Sequence, residues 1–370
     1  MARPTVAEIR LSALRHNFHA LRSLLPSRTG VIAVVKANGY GHGAIPVGRA
    51  LEAEGARMLG VATVEEGLEL RRGGVRIPVV VFGGVDPAQA QEAHEHSLSA
   101  VLFDRRQAAA LVRAAAKAGR AFPVHVKVDT GMGRLGFLPR DAVDFLAELP
   151  TIRGLRLEGW MTHLSSADGP ADEDRAFTES QLAVFSEGVA LMRKSCDSVA
   201  VHALNSSGIL AFRGEPFDLV RPGIALYGYS PLPADATPVS LRPVMRLVTR
   251  IVSLKELPDG HPVSYGRRYR CRGTRRIAAV PIGYADGYRR SLTGQGRMSV
   301  AGRAADVAGT VCMDHTMLDV TDIPGAEIGS EVEAMGEASM SAAEIARLCG
   351  TIPYEVLTSL GPRVPRKFVD

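Results

Sequence analysis

The sequence lacks the marks of several large protein classes. Its four cysteines, Cys196, Cys271, Cys312 and Cys349, are scattered and form no Cys-x-x-Cys pair. That excludes a disulfide-stapled scaffold and a cysteine zinc site, and leaves reduced thiols. No apolar run approaches the ~18 residues of a membrane span, so no membrane partner is expected. The opening Met1-Ala2-Arg3-Pro4-Thr5-Val6 has no apolar core of signal-peptide type, which makes the cytoplasm the expected location. Charge of one sign is scarce, with a net +5 over 370 residues. The one basic cluster has arginines at 267, 268, 270, 272, 275 and 276, with only Tyr269 among them. It reads as a solvated hairpin face, and no nucleic-acid partner is expected. There is no Walker sequence, and Gly39-x-Gly41-x-Gly43 lacks the spacing of a dinucleotide fingerprint.

What is present is an ordinary soluble composition, 46% apolar and 22% charged, in a chain long enough for two domains. The organising stretch is 31–43. Five apolar, mostly β-branched residues, Val31-Ile32-Ala33-Val34-Val35, read as a strand buried on both faces. Lys36 follows at once, then glycines at 39, 41 and 43 around Tyr40. A lysine at the mouth of a parallel strand either reaches solvent or forms a Schiff base with an aldehyde.

Residues 5–10 read as a short strand and 11–25 as an amphipathic helix with Ser12 as its cap. Strand patterns then recur at 31–35, 58–62, 78–82, 99–103, 123–128, 157–162, 199–204 and 218–220. Helical patterns separate them, for example at 64–72, 87–96, 105–118 and 176–194. Eight strands with crossover helices predict an α/β fold, a closed (β/α)8 barrel of the TIM type, over an open doubly wound sheet. After the Pro-rich 231–238 the texture changes to short strands at 245–254, 276–280, 298–300, 307–311 and 316–320, with one helix at 341–348. The expected domains are therefore a barrel over 1–237 and a mostly β domain over 238–370, with residues 1–10 able to supply a strand to the latter.

In such a barrel the chemistry sits at the C-terminal ends of the strands. Those ends carry Lys36 and Tyr40, then Lys127 through Arg134, then His163, Asn205-Ser206-Ser207, and Arg221-Pro222-Gly223-Ile224. Phosphate binds such barrels near the loops after strands seven and eight, which points to Ser206 and the backbone N–H groups of Gly223 and Ile224. A histidine such as His163 or His202 alone reads as a satisfied core residue; gathered on one rim, these side chains read as a site.

The Lys36 segment, 127–136, 221–228, Val263–Gly266, 281–287, Cys312-Met313-Asp314 and 363–368 together resemble the alanine racemases, in family order and over almost the whole chain. The resemblance implies a pyridoxal 5'-phosphate barrel followed by a β domain, working as a homodimer in which each site borrows residues from the partner. It implies Lys36 as the cofactor lysine and one proton carrier, with Tyr265 from the partner as the other. Two carriers are needed because a single base returns the proton to the face it left. A tyrosine near its ordinary pKa of ~10 is a poor base, so positive charge from Arg134 and His163 is expected to lower it.

The same resemblance implies Arg221 against the pyridine nitrogen, and Tyr40, His163, Asn205, Ser206, Gly223, Ile224 and Tyr354 around the cofactor. It implies Arg134, Met313 and Asp314 at the substrate carboxylate, Tyr284 lining the approach, and a carbamylated Lys127. The expected activity is interconversion of L- and D-alanine, supplying D-alanine for peptidoglycan. Broader or serine specificity, a related decarboxylase, and a cofactor-binding barrel without racemase activity are the alternatives.

Overall fold

The computed structural model describes residues 3–196, 198–212 and 217–370. Met1 and Ala2, part of the stretch expected to carry the first strand, lie outside the described residues. The chain divides into two compact units. One holds Leu14–Gly39 and Ala44–Leu241; the other holds the N-terminal segment through Ala13, Tyr40–Gly43 and Arg242–Asp370.

The chain opens with β1 (Val6–Arg10), which belongs to the second unit. The first unit is a closed parallel barrel of eight strands in sequence order: β2 (Gly30–Val34), β3 (Met58–Val61), β4 (Val79–Val81), β5 (Leu98–Leu102), β6 (Phe122–Lys127), β7 (Leu155–Met161), β8 (Ala200–His202) and β9 (Leu219–Val220). The barrel expected from the alternation is there, and β9 closes it against β2. Ile32, Met58, Val80, Val101, Met161 and Leu219, from six different strands, form one buried cluster. Branched side chains stacked in this way fill a barrel interior, so it is a packed core and not a pore. The last two strands are shorter than their apolar patterns suggested, because the chain leaves the sheet at Ala203 and Arg221. Helices lie between strands, including Val64–Arg72, Arg105–Ala118 and Asp172–Arg193. Thr63 and Asp104 cap the first two of these, each accepting a backbone N–H three residues on.

The first helix departs from expectation. It runs Leu11–Arg22, directly from the end of β1, so Ser12 lies inside it and is not its cap.

The second unit is built on a nine-stranded sheet. Its strands are β1 with β10 (Met245–Arg250), β11 (Ser253–Leu257), β14 (Arg275–Val280), β15 (Arg297–Val300), β16 (Arg303–Val307), β17 (Thr316–Asp319), β18 (Glu331–Met335) and β19 (Arg366–Val369). β12 (Pro262–Val263) and β13 (Tyr269–Arg270) pair separately as a short hairpin. β1 lies between β10, antiparallel, and β19, parallel. The apolar run 245–254 is two strands, broken where buried Ile251 leads into exposed Val252. The run expected at 307–311 only begins as strand, since β16 ends at Val307. The basic cluster is spread over the β12–β13 hairpin, its following turn and the start of β14, with Arg267, Arg268, Arg270 and Arg272 exposed. Among the described residues no helix is long and apolar enough to cross a membrane.

Candidate active site

Lys36 follows β2, and the backbone behind it is unusual. Ala37, Asn38, Gly39 and Tyr40 hold φ between 52 and 60°, a single left-handed turn. Glycine adopts this freely, and asparagine tolerates it through its short polar side chain. Ala37 and Tyr40 each cost about 1–2 kcal/mol there, a strain that local bonds must offset. Gly39 N–H donates to Val35 O at 2.8 Å, and Ala44 N–H donates to Asn38 Oδ1 at 2.9 Å. Ala37 N–H donates to a Glu66 carboxylate oxygen at 2.6 Å.

The Lys36 amine is half-buried, and its pKa is lowered by that burial first and by Arg134 next, against an opposing pull from Glu66. Lys127, buried at the end of β6, is pushed down to about 8 by burial and then by Arg134 and Arg221. The loop after it is tied by one carboxylate. Asp129 Oδ1 accepts the N–H groups of Gly131, Met132 and Gly133, and Oδ2 accepts that of Arg134. Burial raises Asp129, but these four bonds more than offset it and its pKa is lowered. The loop thereby fixes the backbone that carries exposed Arg134.

Arg221 is the most constrained group of the barrel unit. One terminal nitrogen donates to His202 Nδ1 at 2.8 Å and His202 O at 2.9 Å. The other donates to Thr162 O at 2.6 Å, Ala203 O at 2.8 Å and His163 Nδ1 at 3.2 Å. The Nε–H is the donor these bonds leave over. Burial pushes Arg221 down to about 9, so it stays charged at neutral pH. Because a guanidinium only donates, His202 Nδ1 must accept, and its proton sits on Nε2. That Nε2 faces His125 Nδ1 at 2.8 Å, which puts the His125 proton on its own Nε2, a buried atom with no partner among the described residues. Burial and Arg221 hold His125 at about 4 and His202 well below the usual range. His163 is also held well below it, by burial and then by Arg221, Lys127, Arg134 and Lys36. The expectation of positive charge on His163 is therefore corrected: the surrounding cations keep the ring neutral at physiological pH.

Asn205 caps the helix Ser206–Ala211 through Gly208 N–H. Ser206 Oγ accepts Gly223 N–H at 2.9 Å and Ala225 N–H at 3.4 Å, leaving its own proton to give. Ile224, buried at the first position of the turn Ile224–Tyr227, has an N–H that no described residue accepts.

In the sheet unit, Tyr40 is buried 6.0 Å, ring to ring, from Tyr354, and burial and then Tyr354 raise its pKa. Gly41 is required here, since a Cβ would overlap the Leu357 carbonyl oxygen. Tyr265 is 72% exposed. Its neighbours Ser264, Gly266 and Arg267 all have positive φ. Ser264 Oγ donates to Thr310 O at 2.6 Å, and Thr310 Oγ1 donates to Tyr265 O at 2.8 Å. Met313 is exposed, and Tyr284 N–H and Ala285 N–H donate to Cys312 O and Met313 O at 3.0 Å. Asp314 is paired with Arg363 at 2.6 Å. Tyr284 is exposed beside this loop.

The structure thus gathers Lys36, Lys127, Arg134, His163, Asn205, Ser206, Arg221, Gly223 and Ile224 in the barrel unit, and Tyr40, Tyr354, Tyr265, Met313 and Asp314 in the sheet unit. Sequence reasoning missed Glu66, Asp129 and the His125–His202 pair. His125 was detectable in principle: it lies two residues before Lys127 on β6, hence on the same face. Among the described residues no group of three His, Cys, Asp or Glu side chains is placed to hold a metal. The donor set suits an anionic aldehyde instead. Cations surround a lowered-pKa amine, and an unpaired guanidinium N–H and an unpaired buried backbone N–H lie nearby.

Comparison with known proteins places the chain in a family. The model of the alanine racemase N-terminal domain matches residues 9–231, and that of the C-terminal domain matches residues 244–368. The chain is 42% identical to the alanine racemase of Halothermothrix orenii over 100% of its own length and 97% of that protein. It is 41% identical to that of Geobacter sulfurreducens, over 100% and 98%. Its fold is similar to the crystal structure of alanine racemase from D-cycloserine-producing Streptomyces lavendulae, with a TM-score of 0.93, 36% identity and coverage of 100% and 98%. It is similar also to the Bacillus anthracis alanine racemase solved with bound L-Ala-P, at a TM-score of 0.91, 33% identity and coverage of 100% and 96%. Two domain matches in order, at this identity and full coverage, leave one assignment: the chain belongs to the alanine racemase family.

Proposed function

We propose that this chain is a pyridoxal-phosphate-dependent racemase interconverting L- and D-alanine by a two-base mechanism, as a homodimer. The observation that carries the reading is Arg221: buried, charged, its terminal nitrogens fully engaged, with Nε–H left to donate. When bound, pyridoxal phosphate would supply an aldehyde to take up an amine and a ring to take up the charge left as the α-proton departs.

The chain's own residues do the rest. Lys36 would hold the aldehyde carbon until the substrate amine takes its place, and its lowered pKa then favours a neutral amine able to accept the α-proton on one face. Tyr265 of the partner subunit gives or takes a proton on the other face; its 72% exposure on the sheet unit supports a role completed by a second copy. Arg221 would donate a hydrogen bond to the ring nitrogen without surrendering its proton, so it would supply no proton to strengthen the ring as an electron sink, which fits racemisation better than transamination or decarboxylation. Neutral His163 and His202 accept from Arg221 and keep its plane fixed.

Ser206, Gly223, Ile224, Tyr40 and Tyr354 would hold the phosphate, with Asn205 setting the Ser206 turn. Ser206 gives its hydroxyl proton and Ile224 its unpaired N–H. Gly223 works through Ser206, which takes its N–H. Arg134, with Met313 and Asp314 of the partner subunit, would receive the substrate carboxylate. Lys127, at about 8 and between cations, favours reaction with carbon dioxide to a carbamate that would brace Arg134. The product D-alanine would serve peptidoglycan.

The test is incubation with L-alanine. Approach of the D/L ratio to unity without carbon dioxide release or cofactor turnover supports the reading. Carbon dioxide release would make the chain a decarboxylase, and an unchanged ratio would leave a cofactor-binding barrel without racemase activity.

A further inference from the structure

We propose that Glu66 is the positioning residue for Lys36: one carboxylate ties the peptide N–H following Lys36 to the peptide N–H at the mouth of the neighbouring strand, fixing the left-handed turn from which the amine projects. The proposal rests on the reading of Lys36 as the reacting amine. Glu66 Oε1 accepts Ala37 N–H at 2.6 Å and Oε2 accepts Ala62 N–H at 2.7 Å. Ala62 follows β3, which pairs in parallel with β2, so the carboxylate staples two adjacent strand ends. Both bonds are charge-assisted and short.

Glu66 is the third residue of the helix Val64–Arg72, whose cap is Thr63. Thr63-x-x-Glu66 has the spacing of a capping box, but the carboxylate passes over the cap's own N–H to reach Ala62 and Ala37. Its negative charge is favoured at the helix N-terminus, and the helix makes a rigid base for it. The far end of the turn is held by Gly39 and Asn38; at the Lys36 end, Glu66 is the hold on Ala37. A strained backbone persists only where its surroundings over-determine it, and this bond supplies that at the residue next to the amine.

The carboxylate also faces the amine electrically. Arg134 from the loop after β6 disfavours the charged amine, while Lys127 on β6 and neutral His163 after β7 in turn feel Lys36. Glu66 is the anion that opposes them. Removing its charge should therefore lower the Lys36 pKa further.

The experiment uses the full-length protein with Glu66→Gln, Glu66→Asp and Glu66→Ala. Two readouts are taken: hydrogen exchange at the Ala37 and Ala62 amides, and the pH profile of kcat for alanine, which reads groups with substrate bound. Glu66→Ala should exchange at Ala37 about tenfold faster. Glu66→Gln loses the charge and keeps one acceptor oxygen in place of two, so the acid limb should move to lower pH by about half a unit and one of the two amides should exchange faster. Glu66→Asp keeps the charge but is too short to bridge, so the limb should stay while exchange quickens. Unchanged exchange at Ala37 in the Ala and Asp variants, or an unmoved limb in Glu66→Gln, overturns the proposal. Should Glu66→Ala fail to fold, the Gln and Asp variants decide it. If the wild-type chain racemises nothing, the reading of Lys36 falls, and the exchange measurement alone decides whether Glu66 clamps the turn.

Discussion

Lys36 and Tyr265 are presented by similar backbone and live in opposite surroundings. Each sits beside residues forced to positive φ, and each has its neighbouring backbone pinned by a side chain, Glu66 for one and Thr310 for the other. Lys36 is half-buried among charged groups of its own unit, which shift its proton affinity. Tyr265 stands 72% exposed in the sheet unit. Strain spent to hold an aromatic ring out in solvent has no return inside one copy of the chain. The lesson is that the proton affinity of the Lys36 amine is set by groups of its own unit, whereas the Tyr265 ring is aimed by its unit and left exposed.

The largest expected break comes at the tuned end. Lys36→Ala should lower alanine racemisation by roughly three orders of magnitude or more and abolish the visible absorption of a lysine-linked cofactor, read by a D/L assay and an absorbance scan. A persisting band would remove Lys36 from its role. Tyr265→Ala should cost about a hundredfold, fall unequally on α-proton exchange from the two enantiomers, and leave thermal stability within about 0.5 kcal/mol, as for an exposed site. Equal, small losses in both directions would mean that Tyr265 is not a base.

Acid should separate the two regions next. His125 has a folded pKa of about 4 against an unfolded value near 6.5. The unfolded chain therefore binds more protons between those values, and stability is lost as pH falls through that window. The loss is on the order of 3 kcal/mol for His125 alone. His125→Phe should flatten that slope in pH-dependent denaturant melts, whereas Tyr265→Phe should leave it unchanged. The smallest effect is at Lys127. Lys127→Ala should reduce kcat/KM for alanine about tenfold, and native mass spectrometry of the wild type should show a carbon dioxide adduct that the variant lacks.

Much of this was legible in the sequence. Runs such as Val31–Val35 and the helices between strands predicted the barrel, because burial on both faces writes itself as uninterrupted apolar residues. The rim residues were legible because strand ends are the places where an α/β barrel exposes polar groups. Glu66 was not, since an acid three residues after Thr63 already has a sufficient local explanation as a helix cap. Ala37 and Tyr40 gave no sign of positive φ, because intrinsic preference argues against it. The charge on His163 was misjudged because only the folded chain brings Arg221, Lys127, Arg134 and Lys36 around one ring.

Periodicity and residue type alone determined the barrel, the β-rich second half and the identity of the amine at the first strand's mouth, because these depend on neighbours a few residues apart. Tertiary structure decided the protonation of the histidines, the direction of the Arg221 donors and the clamp on Ala37. Those depend on charges and carbonyls from 18 to more than a hundred residues distant in the chain, which only folding brings together.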